Sequence, residues 1–169
     1  YVYTICNISI LVVRDQDMSI KAFYNACLHR GRLLRHESGP ADRELQCAYH
    51  GFSWHLDGSI KRVTCDWDFP QLAGQDMSLP QVRVGTWQGF VFISMDPDAE
   101  PLADFLADLD RHFTSAGWDL ADRYIEGHVV KVNRCNWKVA QEAFAEALHV
   151  VTTHPQRLAG MGDTTTQYD

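Results

Sequence analysis

No run of lysine or arginine occurs in this 169-residue sequence, and its 15 basic residues are outnumbered by 22 acidic ones, giving a formal net charge of −7. Binding to a phosphate backbone needs a basic face, so no nucleic-acid partner is expected. No apolar stretch approaches the roughly 18 residues of a membrane helix, and no leader with a basic start and apolar centre stands before the first strand-like residues. A cytoplasmic location without membrane attachment is expected. A disulfide framework is missing too. The five cysteines, Cys6, Cys27, Cys47, Cys65 and Cys135, are odd in number and show no framework spacing, a pattern that points to free thiols or metal ligands. No internal repeat is present.

What is present is apolar enough, at 46% hydrophobic residues, for one core and part of a second. "ISILVVR" and "IKAFYN" read as two strands around the turn "DQDMS", and "YVYTIC" before them is also strand-like. Asp57-Gly58 reads as a hairpin turn, and "QVRVGTWQGFVFISM" as two strands around Trp87-Gln88-Gly89. Residues 60–79 read as irregular. The period then changes: Leu102, Phe105, Leu106, Leu109 and Phe113 form one apolar face of an acidic helix. "RYIEGHVVKVN" reads as a strand and "NWKVAQEAFAEALHVVTTH" as a helix. The expected fold is α+β, an antiparallel β domain over residues 1–100, a helical linker over 101–120, and the first elements of a second domain over 121–169. The 49 residues from 121 onward cannot enclose a core alone, so the chain is expected to be part of a longer protein.

Two short motifs carry the chemistry. "CLHRG" supplies Cys27 and His29, "CAYHG" supplies Cys47 and His50, and residues 30–46 separate them. Two thiolates and two imidazoles can bind zinc or an iron–sulfur cluster. Zinc fingers usually pair cysteine with cysteine in one turn and histidine with histidine in another. Here each loop gives one of each, as a two-iron cluster with unlike ends requires, both cysteines on one iron and both histidines on the other. Gly31 and Gly51 would let the backbone come close to the sulfides.

A second constellation lies near the other end. Glu142, Glu146 and His149 share one face of the expected helix at i, i+4 and i+7, and His154 follows His149 by five residues. Two histidines and one carboxylate hold Fe(II) in non-haem oxygenases and leave positions open for oxygen and substrate. The bland alternative is a solvated helix face.

The motifs resemble those of the Rieske non-haem iron oxygenases, the aromatic ring-hydroxylating family, in its large catalytic subunit. "CLHRG" and "CAYHG" match the Rieske Cys-x-His-x-Gly and Cys-x-x-His-Gly signature, and Arg30 and Trp54 stand where the oxygenase branch places such residues. No cysteine pair matches the loop-bridging disulfide of the respiratory branch. "NWK", Glu146, His149 and His154 resemble the opening of that family's catalytic domain, followed by a helix and an antiparallel sheet. The resemblance implies a [2Fe-2S] cluster on Cys27, His29, Cys47 and His50, and a mononuclear Fe(II) on His149 and His154. It makes Glu146 the catalytic acid that links the two centres across a subunit boundary, although the family usually has aspartate there. The third iron ligand lies far downstream in the family, and its pattern points to neither Asp163 nor Asp169. Also implied are a ferredoxin or flavin reductase as electron donor, an apolar, aromatic substrate with O2, and a homotrimer or α3β3 assembly. Two other readings stay open: a Rieske ferredoxin that only carries electrons, and a zinc-stabilised binding module.

Overall fold

The computed structural model describes residues 1–40, 43–120, 122–146 and 149–157. The chain divides into two compact units, Tyr1–Arg123 and Tyr124–Asp169.

The first unit is built on two antiparallel sheets. Strands β1 (Val2–Ile5), β2 (Ile8–Arg14), β3 (Ile20–Tyr24), β7 (Gln81–Trp87) and β8 (Phe90–Ser94) form one sheet in the order β1-β2-β3-β7-β8. Strands β4 (Leu45–Gln46), β5 (Ser53–Trp54) and β6 (Ile60–Arg62) form the other. The expected antiparallel β domain is therefore present. The period-2 alternation of the central strands divides the core between two sides. Leu11 and Val13 of β2 join Phe23, Leu45, Trp54 and Leu79 in one cluster, whereas Ile10 joins Ala22 and Val82 in another. Cys27 and Cys47 belong to the first cluster. Trp54, fully buried, donates its indole N–H to the Met77 carbonyl at 2.8 Å, so this large ring is buried without stranding its polar atom.

Local turn chemistry sets the hairpins. Gln88 and Gly89 both have positive φ, 49° and 84°, the conformation that matches the twist of a two-residue hairpin. The Asp57-Gly58 turn joins β5 to β6, with Gly58 N–H donating to the His55 carbonyl at 3.0 Å. Three strands precede residue 25. A tight reversal with Cys6 at φ 53° separates β1 from β2, and its sequence carries no glycine to announce it. Residues 60–79 are less irregular than expected, holding β6 and two short 3-10 turns, Asp66–Asp68 and Pro70–Leu72.

The acidic helix is broken in two, α1 (Leu102–Phe105) and α2 (Ala107–Ser115), with the interruption at Leu106. Leu106 is buried, but Phe105 and Leu109 are exposed, so the five apolar residues do not form one buried face. Leu102 instead packs so closely on Gly85 of β7 that a Cβ there would lie 2.7 Å from its Cδ2. Trp87 donates its indole N–H to Asp110 at 2.7 Å and meets Phe113 edge-on. Those contacts with β7 draw the segment against the sheet at the cost of a continuous helix.

In the second unit, α3 (Trp137–Glu142) begins at Asn136, whose side chain caps the Lys138 N–H at 2.9 Å. A second short helix, α4 (Val150–Thr153), follows. The expected continuous helix is thus interrupted between Glu142 and His149, which is consistent with how little a short solvated helix stabilises itself. "RYIEGHVVKVN" is irregular and exposed rather than a strand. A strand needs a ladder partner, and the described residues of this unit contain no other strand.

Candidate metal centres

Each of the two loops in the first unit closes on itself in the same way. In the first, Gly31 N–H donates to the Cys27 carbonyl at 2.8 Å and Cys27 N–H to the Arg32 carbonyl at 2.8 Å; in the second, Gly51 N–H donates to the Cys47 carbonyl at 3.1 Å and Cys47 N–H to the Phe52 carbonyl at 2.8 Å. Gly31 and Gly51 have φ of 72° and 74°, a left-handed turn that strains any residue with a Cβ. Two copies of one turn thus present Cys and His side by side.

The four side chains sort by type. Cys27 and Cys47 are buried, 4% and 2% exposed, and each thiol is a neighbour of the other. Burial, above all, pushes the Cys27 thiol above its ordinary pKa; the backbone N–H groups of His29 and Arg30 oppose that shift, and the Cys47 thiol adds to it. His29 and His50 lie outside at the exposed tip, with their Nδ1 atoms 3.1 Å apart and ring centroids 4.6 Å apart. Two nitrogens at that separation can both reach one metal ion at the ordinary metal–imidazole distance of about 2.1 Å. Among the described residues, no group of three or more Cys, His, Asp or Glu side chains could hold a single ion. Two thiols and two imidazoles are a donor set shared by tetrahedral zinc and by a cluster with unlike ends, and because the four do not close on a single ion, the arrangement favours the cluster. The residues present fit a [2Fe-2S] cluster.

Two supporting residues escaped the sequence reading. Asn25, 1% exposed, follows β3 and leads into the first loop. Its Nδ2 donates to Ser9 Oγ at 3.0 Å and to the Arg35 carbonyl at 2.7 Å, while its Oδ1 accepts from the N–H groups of Leu34 and Arg35, both at 3.0 Å. One side chain therefore ties together both ends of the loop that carries Cys27 and His29, with every polar valence used. A polar residue directly after an apolar strand end was the available signal. Phe52, directly after Gly51, stacks on His29 with ring centroids 5.1 Å apart, a contact between loops that no local pattern announces.

In the second unit, Glu146, His149 and His154 come together, but not on one helix face. Glu146 lies between α3 and α4, His149 starts α4 and His154 ends it. One Glu146 carboxylate oxygen accepts the His149 N–H at 3.1 Å, and the other contacts His149 Nδ1. The rings of His149 and His154 are 5.6 Å apart and nearly perpendicular. With Nδ1 engaged by a carboxylate, Nε2 of His149 is left for a metal, the usual way a carboxylate fixes the tautomer and orientation of a ligand histidine. Glu142 sits exposed at the end of α3. Asp163 and Asp169 lie outside the described residues. The two histidines fit a mononuclear iron whose carboxylate ligand is yet to be assigned.

Residues 1–73 match the Rieske [2Fe-2S] domain, and residues 117–168 match the ring-hydroxylating alpha subunit catalytic domain. The carnitine monooxygenase oxygenase subunit of Acinetobacter pittii is 32% identical over 148 residues, 87% of this chain and 40% of that protein. The chlorobenzene dioxygenase alpha subunit of a Cupriavidus species is 37% identical over 155 residues, 85% of this chain and 33% of that one. The chain therefore spans two fifths or less of the length of these relatives. Among solved structures, a quaternary ammonium Rieske monooxygenase in complex with L-carnitine superposes with a TM-score of 0.83 at 30% identity, over 99% of this chain and 46% of that one. Naphthalene 1,2-dioxygenase with indole bound gives 0.78 at 27% identity, over 99% and 40%.

Proposed function

The chain belongs to the Rieske oxygenase alpha subunits, and from that premise we propose that it is part of a terminal oxygenase that passes electrons from a [2Fe-2S] cluster to a mononuclear Fe(II) and uses O2 to oxygenate a small organic substrate. The observation that carries this reading is the pairing of Cys27 with Cys47 and of His29 with His50 in two matched loops. The Glu146–His149–His154 group supports the oxygenase over the electron carrier. The division into residues 1–100, 101–120 and 121–169 belongs to the same proposal.

When bound, the cluster supplies single electrons and the mononuclear iron supplies O2 activation. The protein's own part is positional. Cys27 and Cys47, as thiolates, would hold the buried end, where the N–H groups of His29 and Arg30 offset the charge of Cys27. His29 and His50 would hold the outer end through Nδ1, leaving Nε2 at the exposed tip toward solvent or a partner. Glu146 fixes His149, and as an acceptor it suits the linking role between a neighbouring subunit's cluster histidine and this iron ligand.

Electrons would come from NAD(P)H through a flavin reductase or a ferredoxin, and the assembly would be a homotrimer or α3β3. No described helix is long and apolar enough to cross a membrane. For the substrate, the likeness to chlorobenzene and naphthalene dioxygenases supports an apolar, aromatic compound. A second reading, a quaternary ammonium compound, is favoured by the higher TM-scores of the structures in complex with L-carnitine and with gamma-butyrobetaine. Turnover of the complete, reconstituted enzyme on naphthalene and on L-carnitine, with O2 consumption and oxygenated product both measured, decides between them. Iron in excess of acid-labile sulfide is expected for the oxygenase, whereas equal amounts would leave only the electron carrier.

A further inference from the structure

The two loops are alike in their backbones but not in their surroundings. A Cβ on Gly31 would meet nothing within 4 Å, whereas on Gly51 it would lie 3.2 Å from Thr64 Oγ1 and 3.4 Å from Arg62 Nη2. Arg62 Nη2 donates to the Gly51 carbonyl at 3.1 Å. The hairpin explains how it arrives there. The Asp57-Gly58 turn folds β6 back on β5 in a register that sets Arg62 opposite Ser53, two residues past Gly51. Its neighbour Lys61 pairs with Glu44 and, more than Arg62, holds the Glu44 carboxyl below its ordinary value. Glu44 is therefore engaged first by Lys61, with Arg62 the smaller contributor.

We propose that Arg62 is a positioning residue for the cluster, which holds the second loop by the Gly51 carbonyl and raises the reduction potential through its fixed positive charge. The inference rests on the reading of Cys27, His29, Cys47 and His50 as cluster ligands, and deepens it. A guanidinium stays charged at every accessible pH. Its hydrogen bond falls on the residue next to His50. A cluster that takes up an electron becomes more negative by one charge, so a nearby cation favours the reduced form. Arg62 is exposed, so water and salt screen the effect. A planar fork also holds a carbonyl with less freedom than an ammonium does, which ties the electrostatic role to the mechanical one.

The test uses the complete, cluster-loaded protein and its reduction potential, with iron, acid-labile sulfide and visible spectrum read alongside. Arg62→Gln is expected to keep the cluster and lower the potential, changing the reduced-to-oxidised ratio at a fixed potential threefold to tenfold, about 28 to 59 mV at 59 mV per decade for one electron. Arg62→Lys keeps most of the wild-type value. Lys61→Gln, the same charge change one residue away, moves the potential by less than half as much. Arg62→Gln at the wild-type potential, or a shift no larger than that of Lys61→Gln, overturns the proposal. Should Arg62→Gln fail to hold the cluster, Arg62→Lys decides: a cluster retained at most of the wild-type potential supports the proposal, and a retained cluster whose reduced-to-oxidised ratio changes tenfold or more despite the kept charge overturns it. A wild-type protein without iron and sulfide would instead sink the cluster reading itself.

Discussion

Phe52 lies flat against the imidazole of His29, ring centroids 5.1 Å apart and planes 14° from parallel. A residue of the second loop thereby orients a histidine of the first, so the loops are mutually supporting. Phe52 is buried. Phe52→Ala is expected to cost about 3 kcal/mol or more, read as a lower thermal midpoint, and to weaken cluster retention. Phe52→Leu keeps apolar volume and should retain the cluster while altering the histidine signals. Full retention in Phe52→Ala would mean the stack positions nothing.

Asn25 supports the first loop by four hydrogen bonds. Asn25→Ala leaves the N–H groups of Leu34 and Arg35 without their acceptor in a part-buried setting, at a cost of about 3 kcal/mol. Denaturant unfolding measures this. Asn25→Asp keeps the acceptor and loses the donors, so an intermediate loss is expected.

Glu146 grips His149 through both its backbone and its ring. Glu146→Gln removes the charge and half of the acceptor capacity. Both metal centres are expected to stay occupied while cluster-to-iron electron transfer slows by orders of magnitude in single-turnover kinetics. Glu146→Asp should keep some transfer, since only the reach changes. Cluster reoxidation at the wild-type rate in the Gln variant would return Glu146 to an ordinary surface acid.

Three Asp-x-Ser turns, at Asp17, Asp57 and Asp76, share one device. In each the following serine's hydroxyl, first, and its backbone N–H hold the carboxyl below its ordinary pKa. A carboxyl lowered in the folded state contributes stability that is present above the unfolded value, near about 3.9, and lost as pH falls through the folded one. Asp57→Asn is therefore expected to lower stability at neutral pH, to converge on the wild type as pH falls below about 4, and so to flatten the acid limb. An unchanged acid limb would show that the Asp57 turn carries no such linkage.

The ligand loops were legible because each is a short local motif; Cys27 and His29, like Cys47 and His50, are held by turns that their own glycines dictate. The strands were legible from alternation, as in Leu11 and Val13 against Ile10. Long-range supports were not. Arg62 reaches Gly51 only after the hairpin has folded, and Asn25 finds Arg35 only when the loop has closed. Periodicity overstated the helices: tertiary contacts of Leu102 and Trp87 interrupt one, and the other ends at Glu142, with residues 143–146 outside it.

The central claim is that Cys27 and Cys47 share one iron while His29 and His50 share the other. Pulsed electron paramagnetic resonance of the reduced, complete protein reads this directly, together with iron, sulfide and zinc content. The account predicts a paramagnetic two-iron cluster with strong coupling to two histidine nitrogens, and the loss of one coupling in His29→Cys or His50→Cys wherever the cluster survives. Stoichiometric zinc without sulfide, or a cluster with no nitrogen coupling, would contradict it.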